Sequence, residues 1–141
     1  MAQFQFVPHT ADIALRVWGR DLPDLLRAAA LGLAAATVGS ETLDAHRVAG
    51  VAPRPLAVAP TSDAEGLLVD FLNEVIFQQE VNREVYTDFE FAVSSPAAGI
   101  RALAYPDPSL TATHAVKAAT YYDLRVARTP EGLEATVVFD V

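Results

Sequence analysis

The chain has 141 residues, 52% of them hydrophobic and 20% charged, with a formal net charge of −8 and no cysteine. That length predicts a single domain, 1–141, with a real core. Without cysteine there are no disulfides, no thiolate metal sites and no cysteine nucleophile. No apolar run reaches the roughly 18 residues of a membrane span. The start, MAQFQFVPHTAD, lacks the basic and apolar regions of a secretory signal, so a cytoplasmic location is expected. Binding to nucleic acid needs clustered Lys and Arg. Those clusters are missing, so direct DNA or RNA binding is not expected. An acidic surface suits a basic protein partner or a cation. Lys117 is the only lysine, and a lysine shifts its pKa where an arginine does not.

In chain order, Phe4 and Phe6 mark a short strand. A polar turn, Pro8-His9-Thr10-Ala11-Asp12, follows and brings an imidazole, a hydroxyl and a carboxylate close together. Ile13, Leu15 and Val17 alternate in the next strand, up to Trp18. Asp21 reads as the N-cap of a first helix, with Pro23 in its first turn and Gly39 as its stop. The helix is rich in alanine, so it can pack closely. Two β-like runs follow, His46 to Val51 and Pro55 to Ala59, broken by prolines and therefore edge strands or a hairpin. His46 reads as a surface histidine.

Ser62-Asp63-Ala64-Glu65 reads as a capping box opening a second helix. Leu67, Leu68, Phe71, Leu72, Val75 and Ile76 form its core-facing stripe. Its other side carries Asp70 and Glu74, like charges one turn apart. From Ser62 to Val81 there is no basic residue. This is either a solvated acidic face or a surface for a basic partner, with Phe77 as an aromatic anchor. Strands are expected at Asp88 to Ser94 and Gly99 to Tyr105. A long strand, His114 to Arg128, is expected to form a hairpin with Leu133 to Val141 through the turn at Thr129–Gly132. The predicted class is α+β: a mostly antiparallel sheet with two helices packed on one side, in two layers.

Asp140 and the terminal carboxylate of Val141 are sequence neighbours, and such a pair repels unless a cation sits between them. If Asp12 lies alongside in the sheet, three carboxylates converge. Hard cations such as Ca²⁺ and Mg²⁺ take such an all-oxygen site.

HTADI near the start, LLVDFLNEVIF at 67–77, AVKAATYYDLRV at 115–126 and VVFDV at the end together resemble the archease family. Order and spacing agree along nearly the whole chain. The resemblance implies a protein cofactor of tRNA splicing, not an enzyme. It would activate an RtcB-type RNA ligase by promoting its guanylylation and turnover. Contact with tRNA would come only through the ligase. The family carries a divalent-metal site, Ca²⁺ with Mg²⁺ or Mn²⁺ as alternatives. Its ligands would fall on Asp12, Asp140 and Val141. His9 and Lys117 also fall on motif positions. Tyr122 stands where the family commonly has histidine, so no role for that imidazole carries over. The 105–113 loop follows no pattern of the family. Two other readings of the residues stay open: a stand-alone metal-dependent hydrolase, and a chaperone-like interaction module.

Overall fold

A computed structural model describes residues 3–8 and 12–141. The elements run β1 (Phe4–Val7), β2 (Ile13–Gly19), α1 (Leu22–Val38), β3 (Arg54–Val58), α2 (Ala64–Asn82), β4 (Tyr86–Ser95), β5 (Gly99–Pro106), β6 (Ala118–Thr120), β7 (Ala127–Thr129) and β8 (Gly132–Asp140). Every strand pairing among them is antiparallel. The α+β class stands as expected, and the strands divide between two sheets. One follows the order β1-β2-β8-β6, with β7 also on β8. The other runs β3-β5-β4.

α1 packs on β2 of the larger sheet and on β4 of the smaller one. It is shared between the two, and every residue from Ala28 to Thr37 is buried. Small side chains make this double contact sterically possible. A Cβ built on Gly32 would lie 2.3 Å from Leu15 Cδ2, so β2 approaches the helix backbone closely. The ends are set locally. Asp21 accepts from the Asp24 N–H, and Gly39 ends the helix in the left-handed region with φ 75. α2 buries the expected stripe and leaves Asp70, Phe77 and Val81 exposed. It packs on β3 and β6. Phe71 meets Phe89 and Phe91 at ring-centre distances of 5.4 and 5.6 Å, inside the core.

Three expectations are corrected. Ser62 does not cap α2; Asp63 does, accepting from the Gly66 N–H. Glu65 instead accepts the Val126 N–H at 2.8 Å. Residues 46–51 form no strand. The run meets β4 only near its start, where His46 and Thr87 exchange hydrogen bonds and the Arg47 side chain donates to Asp88 and Glu90. The long strand from His114 to Arg128 is the third. It is two three-residue strands, β6 and β7, which pair with opposite ends of β8. Between them the chain turns at Tyr121–Leu124, with Asp123 in the left-handed region at φ 53. In β6 it is Ala119 that is buried, opposite Phe139.

Candidate functional site

β8 alternates in burial. Ala135, Val137 and Phe139 face the helices, and Thr136 and Asp140 are exposed on the other face. Its pairing with β2 puts Ile13 opposite Phe139. That is the last pair of the register, and Asp12 and Asp140 are the next residue of each chain segment. On the other flank Ala118 lies opposite Asp140, and the Lys117 N–H donates to the Asp140 carbonyl at 2.8 Å. β8 thus runs between β2, which starts at Ile13, and β6 of the AVKAATYYDLRV block. Val141 follows directly and is exposed.

The pairing brings the start of β2, β6 and the end of β8 to one sheet end. Asp12, Asp140 and the main-chain oxygens of Val141 are all hard oxygen donors, a set that fits a hard divalent cation. Among the described residues, no group of three or more His, Asp or Glu side chains could hold a metal, so main-chain oxygens would have to complete the set. His9 lies outside the described residues. Lys117 is exposed, and its ammonium forms no ion pair among the described residues. Its link to Asp140 is made by the backbone.

Asp70 and Glu74 do not join this end. With Asn73 they border a shallow groove against Ala57–Ala59, the end of β3 and the residue after it. Glu74 accepts from Gln78 at 2.9 Å, and Phe77, one turn on from Asn73, is 55% exposed.

Two features escape a reading of the sequence. Asn73 lies in the middle of α2, where asparagine is a poor helix former. Its amide accepts the Ala119 N–H at 2.8 Å and donates to the Ala119 carbonyl at 3.3 Å. The side chain thus completes the edge of β6 as a neighbouring strand would, and it fixes the strand that flanks Asp140. An asparagine at a mid-helix position was the available signal. The second is His46 with Asp107. His46 Nε2 lies 2.6 Å from Asp107 Oδ2 and its Nδ1 lies 2.9 Å from the Asp44 carbonyl. Asp107 also accepts from the Ser109 N–H and hydroxyl. The His46 hydrogen bond, helped by Ser109, holds the Asp107 carboxyl below the usual range. The bond to Asp107, then that to Asp44, raises His46. With both ring nitrogens facing acceptors, the doubly protonated ring satisfies both.

Comparison with known proteins agrees in extent with the motif pattern. The archease protein family model matches residues 4–141. A protein archease of Methanosarcina barkeri is 28% identical, covering 99% of this chain and 96% of its own. That of Methanosarcina mazei is 30% identical over the same shares. Among solved structures, protein 1598 of Methanobacterium thermoautotrophicum superposes with a TM-score of 0.73 at 20% identity, over the whole of both chains. An archease of Thermotoga maritima, described as a possible chaperone, gives 0.58 at 22% identity over 96% and 94% of the two chains. At those identities the structures establish the shared fold. Together with the match across 4–141, they lead to one conclusion: this chain belongs to the archease family.

Proposed function

We propose that this protein is a non-catalytic cofactor of tRNA splicing that activates an RtcB-type RNA ligase, promoting its guanylylation and turnover. We further propose that it carries a divalent cation, Ca²⁺ or in its place Mg²⁺ or Mn²⁺, on Asp12, Asp140 and the carboxyl group of Val141. The β2–β8–β6 register carries the reading. It brings the start of β2, the Lys117 segment and the end of β8 to one sheet end, and on this reading Asp12 and Asp140 share a cation there.

A bound divalent cation supplies charge neutralisation for a transferring phosphoryl group. The protein's own residues do the rest. Asp12 and Asp140 offer anionic oxygens. The Lys117 N–H and the Asn73 amide hold the flanking strand in place. Asp70 and Glu74, on a helix without basic residues from 62 to 81, steer the protein toward a basic partner. Contact with tRNA is left to the ligase, since a net charge of −8 offers few counterions to release.

The test is a ligase guanylylation time course with Asp12→Asn and Asp140→Asn, paired with calorimetric titration of Ca²⁺ and Mn²⁺. Asparagine keeps the size of the side chain and removes its charge. Both variants are expected to lose metal affinity and activation by at least about tenfold, with unchanged thermal stability. Full activation by both variants would refute the mechanism. A second reading, a chaperone-like interaction module, draws on the exposed Phe77, Val81, Tyr121 and Tyr122 and on the description of the Thermotoga protein. Suppression of aggregation of unrelated unfolded proteins, with no effect on the ligase, would favour it.

A further inference from the structure

Two cavities of about 310 and 450 Å³ lie between the C-terminal half of α2 and residues 108–117, and they share Gln79, Glu80 and Ala112. They join into one trough. Ile76 and Val116 wall the first part, Val85 and Leu110 the second. At the junction Gln79 Oε1 is buried and has no hydrogen-bond partner among the described residues. Its orientation follows from Thr37. The only hydroxyl proton of Thr37 goes to the Leu33 carbonyl at 2.8 Å, so its oxygen accepts from Gln79 Nε2 at 3.4 Å. The amide oxygen must then point the other way. A buried acceptor without a donor is uncommon in native proteins.

Cationic and donor groups stand at one end. Lys117 lines the first cavity, and so does His114, whose Nδ1 is bonded to Thr113 Oγ1 while Nε2 has no partner among the described residues. His114 is seated by Gly39, where an added Cβ would come 2.5 Å from the imidazole Cε1. Glu80 lines both cavities, Arg83 and Glu84 only the second, so Lys117 and His114 are what favours an anion in the first.

We propose that this trough binds the C-terminal segment of a polypeptide that ends in an apolar residue. The terminal carboxylate meets Lys117 and His114, and the apolar side chain lies between Ile76 and Val116. A main-chain N–H donates to Gln79 Oε1, and the preceding residues run along the second cavity. Anion, apolar group and N–H donor, close together, are what a carboxyl-terminal residue offers. A free N-acyl amino acid offers them too, so the experiment separates the two.

The isotope-labelled full chain is titrated by NMR with a hexapeptide ending in leucine, with N-acetyl-leucine and with N-acetyl-leucinamide. Saturable shifts are expected at Ile76, Gln79, Ala112 and Val116. The peptide is expected to bind about tenfold more tightly than N-acetyl-leucine, and the amide about tenfold more weakly. Gln79→Met is expected to remove binding while the rest of the spectrum, and so the fold, is kept. Absence of saturable shifts at millimolar peptide overturns the proposal, as does equal binding by Gln79→Met or by the amide. Equal affinity for N-acetyl-leucine and the peptide overturns the polypeptide as occupant.

Discussion

α1 and the segment from Thr113 to Arg128 are nearly equal in length and opposite in construction. Each turn of α1 is held by its own backbone, and from Ala28 to Thr37 every side chain is buried between two sheets. The segment holds only five residues of strand, Ala118–Thr120 and the first two of β7. Its course is fixed by side chains from α2, Asn73 at Ala119 and Glu65 at Val126. The helix supplies stability. The segment supplies an exposed surface, Lys117 and Tyr121 to Asp123, anchored at a few points. The contrast shows how a small domain separates what must not move from what must meet a partner.

The contrast breaks most sharply at α1. Leu26→Ala removes a side chain that is 0% exposed and is expected to cost about 2–5 kcal/mol. Urea unfolding measures it, and a smaller loss would mean that the helix layer collapses around the cavity. Asn73→Ala sharpens the other side. It leaves the Ala119 N–H and carbonyl without their partner and is expected to cost about 1–2 kcal/mol. Faster amide hydrogen exchange is expected at Ala119 and Lys117, with α1 unaffected. Exchange that rises equally in α1 would deny the segment its separate anchoring.

The smallest effect is expected in the irregular 40–53 connection. His46 is raised above its ordinary value by Asp107. Its stabilising contribution is therefore complete below the unfolded value of about 6.5 and is lost as pH rises through the higher folded value. The pair is partly exposed, which limits the effect to less than about 1 kcal/mol. Melting temperatures of wild type and His46→Asn, compared from pH 6 to 9, are expected to converge at the alkaline end. A constant gap across that range would assign the difference to packing.

What could be read from the residues follows the same division. Asp21, Pro23 and Gly39 bound α1 through contacts a few residues long, and they were legible. So was the Thr129–Gly132 turn, which the β7–β8 pairing confirms. The break between β6 and β7 was not, because alternation from Val116 to Val126 is what a continuous strand shows. The restraints that interrupt it come from residues 46 and 61 positions away. His46 was legible as exposed, but its bond to Asp107 spans 61 positions. Asp12 and Asp140 were legible as candidate ligands through the motif order. That the start of β2 meets the end of β8 depends on a register that only the fold supplies.

That register has a consequence in time. Arg16 and Glu134, ion-paired across β2 and β8, are 118 positions apart. At roughly 5–20 residues per second, synthesis of that interval takes roughly 6–24 s. Until then the apolar edge of β2 has no β8 to pair with, and no local contact substitutes for it. Pairings of such long range also slow folding. The sheet end where β2, β8 and β6 meet is therefore among the last features to come into being. Any partner that reads that end of the sheet reads, in the same act, that the molecule has finished folding.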